Sequence, residues 1–111
     1  MAAGTYNFVL DQGATFTRQL TVKDDGSVMN LTGYSVASKM RSTHDSGTVV
    51  GTFTCTISDA TAGEITMQMT NSTTAAIEEG IYVYDLEITN SAGTVTRLME
   101  GNITVNPEVT R

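Results

Sequence analysis

Glu78-Glu79-Gly80-Ile81-Tyr82-Val83-Tyr84-Asp85-Leu86-Glu87-Ile88-Thr89 is the stretch on which the fold turns. Tyr82, Tyr84, Leu86 and Ile88 alternate with Val83, Asp85, Glu87 and Thr89, which gives one apolar and one largely polar face at a period of two. Side chains alternate in this way only along an extended chain, so the segment reads as a half-buried strand. Just upstream, Ile65, Met67 and Met69 alternate with Glu64, Thr66 and Gln68. Residues 71–79 between them form the only plausible helix, one or two turns long, with Asn71 or Ser72 as its cap. Downstream, Asn90-Ser91-Ala92-Gly93 makes a hairpin turn. A last strand follows over residues 94–105, where Gly101 is expected to bulge and reset the alternation before Pro107 ends it.

The same period runs back to the start. Tyr6, Phe8 and Leu10 form one face, and Gln12-Gly13 interrupts them. Phe16, Leu20 and Val22 form the next, with Arg18 an exception on the apolar side. Asp24-Asp25-Gly26-Ser27 reads as a tight turn, because Asp-Gly tolerates the positive φ that hairpins need. Tyr34, Val36 and Met40 then oppose Ser35, Ala37, Lys39 and Arg41. After the turn-rich residues 42–47 come Val49, Phe53, Cys55 and Ile57, set against Thr52, Thr54, Thr56 and Ser58.

About seven short strands with turns between them describe a sandwich or small barrel. The chain is 111 residues long and has no repeat, linker or charge block, so residues 1–111 are expected to form a single domain. The fold predicted is all-β: an immunoglobulin-like β-sandwich of about seven antiparallel strands with one short helical turn. Glu78-Glu79-Gly80-Ile81-Tyr82-Val83-Tyr84 resembles the Asp-x-Gly-x-Tyr-x-Cys approach to the sixth strand of immunoglobulin domains. That resemblance implies a tyrosine corner at Tyr82, although Tyr84 stands in the cysteine position and the chain has no Trp.

Composition narrows the function. Hydrophobic residues make up 40% and charged residues 16%. The net charge is −6 and the pI about 4.4. Arg18, Lys23, Lys39, Arg41, Arg97 and Arg111 are scattered, whereas nonspecific nucleic-acid binding needs clustered cations, so no nucleic-acid partner is expected. Cys55 is the sole cysteine, which removes an intrachain disulfide and a Cys-based metal site. Met1-Ala2-Ala3-Gly4-Thr5 lacks the features of a signal peptide, and no apolar run approaches the roughly 20 residues of a membrane span. A protein made in a cytoplasm is the expectation, with no membrane partner. The Asn-x-Thr sequences at Asn30, Asn71 and Asn102 then follow from a Thr-rich chain.

Each candidate for chemistry has a plainer reading. His44 sits among Thr43, Asp45 and Ser46, but a catalytic triad assembles from separate elements, so a solvated turn is expected there. Asp24 and Asp25 could open a calcium loop, yet Met29 and Ser35 occupy positions that such a loop needs for Gly and Glu. Asp85 and Glu87 share a strand face about 7 Å apart at the backbone. Sugar clefts are lined by exposed aromatics, so these two read as a solvated acidic stripe countered by Lys39 and Arg41. Met40, Met67, Met69 and Cys55 read as core. No catalytic, cofactor-binding or metal residue is predicted, and no enzyme activity or cofactor.

The ends of the chain add a resemblance. Residues 81–88 and Gly93-Thr94-Val95-Thr96-Arg97-Leu98-Met99-Glu100-Gly101, continuing through Pro107-Glu108-Val109-Thr110-Arg111, resemble a family of small bacteriophage virion proteins. That family closes on a similar YDLE, V-x-R-L and PEVTR signature. Gln12-Gly13-Ala14-Thr15-Phe16 and Leu31-Thr32-Gly33-Tyr34 are similar to its QGATF and LTGY segments. A more distant resemblance is to the N-terminal domain of phage baseplate upper proteins. These resemblances imply a non-enzymatic virion structural protein, an assembly or adaptor subunit of the tail, baseplate or fibre attachment. Its partners would be other virion proteins, with multiple copies in a symmetric assembly. A head decoration protein, or a receptor- or carbohydrate-binding surface module, is the alternative. Two physical expectations accompany this reading. The first strand and the 94–105 strand are expected to be open edges for partners. The tail 106–111 is expected to dock on a neighbouring subunit through Glu108 and Arg111, with no effect on the domain's own stability.

Overall fold

The structure, a computed structural model, describes residues 4–24, 26–43 and 45–109. Its strands are β1 (Gly4–Thr5), β2 (Phe8–Asp11), β3 (Phe16–Thr21), β4 (Lys23–Asp24), β5 (Ser27–Val28), β6 (Ser35–Arg41), β7 (Gly51–Asp59), β8 (Glu64–Met69), β9 (Gly80–Thr89) and β10 (Val95–Asn106). Among the described residues a single helix, α1 (Asn71–Ala75), lies between β8 and β9. The main strands form one hydrogen-bonded path, β1-β10-β9-β6-β7-β8-β3, with β2 also on β10. The path folds over at β7. Gly51 and Phe53 pair with β6, whereas Thr54 onward pairs with β8. One strand thereby serves both layers, and the all-β sandwich is a curled half-barrel. Pairing is antiparallel throughout this path except at the start, where β1 and β2 run parallel to β10.

The apolar faces read at period two meet between the layers. Phe8, Leu10, Phe16, Met40, Phe53, Ile65, Met67, Met69, Tyr84, Leu86, Ile88, Ile103 and Val105 are all buried in one cluster. Phe16 lies 5.5 Å from Phe53 and 5.7 Å from Phe8, centroid to centroid, so aromatic contacts join elements from both layers. Arg18, the exception on its face, stacks its guanidinium 5.2 Å above the Phe8 ring. Cation–π contact lets the stem lie over apolar surface while the charge stays wet. Two expected core residues are outside: Tyr6 is 55% exposed and Val49 36% exposed. Leu31, Ile77 and Leu98 fill the core instead, each from a loop or bulge that periodicity does not register.

Local chemistry explains the joints. In the β4–β5 hairpin Lys23 pairs with Val28 and Asp24 with Ser27. The Asn90 carboxamide accepts the Ala92 and Thr94 N–H groups, which closes the β9–β10 hairpin. Helix α1 is capped by Thr70, not by Asn71 or Ser72: the Thr70 hydroxyl accepts the Thr73 N–H at 3.4 Å. Thr74, fully buried, donates from its hydroxyl to the Ala14 carbonyl at 2.9 Å and ties the helix to the β2–β3 corner. The bulge in β10 falls at Leu98, between Arg97 and Met99, three residues before Gly101. Gly101 stays in register with Tyr84 because the backbone of Tyr6 crosses directly over it, where a Cβ would collide with the Tyr6 carbonyl.

Candidate functional site

Tyr82 donates its hydroxyl to the Glu78 carbonyl at 2.7 Å. This is the tyrosine corner that the immunoglobulin resemblance of residues 78–84 implied: the ring is packed, and its O–H closes the loop four residues back. Burial and the nearby Glu78 carboxylate both raise the Tyr82 pKa. Tyr84 donates to the Tyr6 carbonyl at 2.7 Å, holding β1 against the core. Both hydroxyls are thus structural.

Asp85 and Glu87 lie on the outer face of β9 as expected. Lys39 stands opposite Asp85 in register, but the ion pair belongs to a residue the sequence reading passed over. Arg97 Nε lies 3.4 Å from Asp85 Oδ2, and Arg97 Nη1 lies 3.1 Å from Glu100 Oε2. The bulge at Leu98 hides this from simple alternation, because it shifts which β10 residues face β9. Arg41 turns away and donates to the Ser46 carbonyl at 3.1 Å. These side chains surround a concavity of about 430 Å³ on the outer face of β6, β9 and β10. The Arg97 pairs are close to half exposed, so they contribute less than about 1 kcal/mol each and set local charge rather than stability.

A second cleft of about 360 Å³ opens where the half-barrel fails to close. Tyr6, Leu20, Val22, Leu86, Leu98 and Met99 line it, and β3 forms one bank. Among the described residues β3 pairs only with β8. This corrects one edge assignment. The 94–105 strand is interior, because β10 is flanked by β9 on one side and by β1 and β2 on the other, and the open edge beside the cleft is β3. Pairing between strands distant in sequence decides this, and period two does not report it.

The expectation that the tail adds nothing to its own domain is corrected for residues 106–108. Asn106 extends the β2–β10 ladder opposite Asp11, and its carboxamide donates to the Asp11 carboxylate at 3.1 Å. The Glu108 N–H donates to Gln12 Oε1 at 3.0 Å, and the Gln12 carboxamide donates to the Ile77 carbonyl at 2.7 Å. The Glu108 carboxylate packs over Gly13, in the space a Cβ would take, and Gly13 itself has a positive φ of 79° that side chains rarely adopt. This part of the tail is bound to its own domain. Thr110 and Arg111 lie outside the described residues, as do His44 and Asp25 with the readings that involved them.

Cys55 is half-buried, and burial pushes its thiol up to about 11. It is therefore protonated near neutrality and a poor nucleophile. Among the described residues, no group of three His, Cys, Asp or Glu side chains could hold a metal ion.

No protein-family model matches the chain, and no curated protein matches it. A solved structure of the Listeria monocytogenes internalin-like protein lmo2027 is similar, at 15% identity and a TM-score of 0.49. The match covers 94% of this chain and 28% of that one, so the chain spans little more than a quarter of its length.

Proposed function

We propose that this chain is a non-enzymatic structural subunit of a bacteriophage virion, an assembly or adaptor component of the tail, baseplate or fibre attachment present in multiple copies. The reading rests on the sequence signature that the chain shares with small virion proteins. One structural observation supports treating that signature as a single unit. Its Gln12-Gly13 segment and its Pro107-Glu108 segment, at opposite ends of the chain, meet through the Glu108 N–H and Gln12 Oε1 bond. Of the polar groups singled out above, Asp85 is paired with Arg97 and Arg41 is bonded to the Ser46 carbonyl, and the open features of the fold are an edge and a groove. That distribution suits a protein that joins others.

The test is direct. Phage particles from a producing host are purified on a density gradient, their proteins quantified by mass spectrometry, and the particles labelled with antibody and gold. The expected result is this chain at an integer ratio to a tail or baseplate protein, with gold at the tail end. Absence from purified particles overturns the reading. Gold distributed over the capsid overturns the tail assignment in favour of head decoration.

A further inference from the structure

The open side of the half-barrel has the features of a strand-binding site. The Val22 N–H bonds the Gly63 carbonyl at 2.8 Å. Strict alternation in the antiparallel β3–β8 ladder then turns the backbone groups of Phe16, Arg18 and Leu20 toward β8. Those of Thr17, Gln19 and Thr21 face the seam. On the opposite bank, the Tyr6 N–H bonds the Glu100 carbonyl at 2.9 Å, which turns the Thr5 peptide groups away from β10 and toward the same seam. Strand directions along the path make β1 and β3 antiparallel across the gap. Beneath the gap lies an apolar floor of Leu20, Leu86, Leu98 and Met99, with the half-exposed Tyr6 ring on the rim. A strand placed here would gain main-chain bonds from its banks and side-chain burial from the floor.

The charge of the site selects the occupant. Among the described residues Lys23 is the one charged side chain lining the groove, in a protein whose net charge is −6. Pairing β3 with β3 of a second copy would supply no carboxylate, because Phe16–Thr21 contains none and would bring two Arg18 side chains to one face. We propose that the seam accepts an extended segment of a different protein, with apolar side chains at alternate positions and a carboxylate at the end beside Lys23. This rests on the assembly reading and deepens it by naming the surface and the chemistry of the partner.

A segment spanning residues 17–23 covers about 20 Å, or seven residues. The probe is therefore the blocked peptide acetyl-Asp-Val-Thr-Val-Thr-Val-Thr-amide, antiparallel to β3 with its Asp beside Lys23, titrated into the full chain and followed by amide hydrogen exchange. Saturable binding that slows exchange at Thr17, Gln19 and Thr21 is expected. Gln19→Pro removes a seam-facing N–H without removing a bond to β8, and should abolish binding. Lys23→Glu should weaken it by about two- to fivefold and reverse the preference when the peptide's Asp is replaced by Lys. Lack of saturable binding, protection confined to other strands, or undiminished affinity in both variants overturns the proposal. Protection of the same amides without peptide, in a protein that sediments as a dimer, overturns it in favour of a second copy. If the peptide fails while the chain is still found in particles, the assembly reading stands and only this site falls.

Discussion

At Gly101 a missing side chain matters more than most of those present. β10 is held on both sides there, by Tyr84 in register on β9 and by the Asn7 carboxamide, which accepts the neighbouring Asn102 N–H at 3.0 Å. The Tyr6 carbonyl that lies over Gly101 is itself fixed by the Tyr84 hydroxyl. A methyl group at this position can be relieved only by moving backbone, and neither strand is free to move. Gly101→Ala should therefore cost about 3 kcal/mol, at the upper end for inserting a methyl into packed structure. Urea unfolding reads this as a lower midpoint at unchanged slope. A loss below about 1 kcal/mol would mean that the β1–β2 crossing is far looser than its hydrogen bonds indicate.

Among the elements, those that bury one face and wet the other were legible from period two alone. β8 and β9 carry their inward residues where alternation places them, whereas the tyrosine corner came only from the resemblance to the immunoglobulin motif. What alternation does not carry is the identity of the neighbour. The switch of β7 between layers, the interior place of β10 and the exposure of Tyr6 all depend on contacts far apart in sequence. The cap at Thr70 is not marked by residue type, because Thr is as common on the wet faces here as at turns. The bonding of residues 106–108 is hidden for a related reason. A short polar segment has no hydrophobic signal, yet Asn106 is bonded to Asp11 and Glu108 to Gln12. Truncation after Asn106 should lower stability by about 1 kcal/mol, the worth of the Glu108–Gln12 bond, instead of leaving it unchanged. Thermal melting of the shortened chain checks this, and an unchanged Tm would return the tail to a role outside its own domain.

Across the whole molecule the net charge is −6, and two protonated acids are held within. The Cys55 thiol is pushed from 9.0 to about 11 by burial. The Tyr84 hydroxyl is raised well above its usual range, by burial first, with Arg18 opposing and Tyr6 adding to the rise. Both groups ionise at ordinary values once the chain unfolds. Below pH 9 each is protonated in both states, and neither makes stability depend on pH. Between pH 9 and 11 the unfolded chain loses the Cys55 proton that the folded chain keeps, so the unfolded state binds fewer protons and stability falls as pH rises. Tyr84 extends the decline from pH 10 upward by the same logic. Self-repulsion in an acidic protein also grows with pH, but a single substitution separates the two effects. In Cys55→Ala, urea midpoints should differ from those of the parent by a constant amount up to pH 9 and then converge toward them by pH 11. Parallel curves over the whole range would show that the thiol ionises as readily in the fold as in the unfolded chain, and that Cys55 is not shielded within the sandwich.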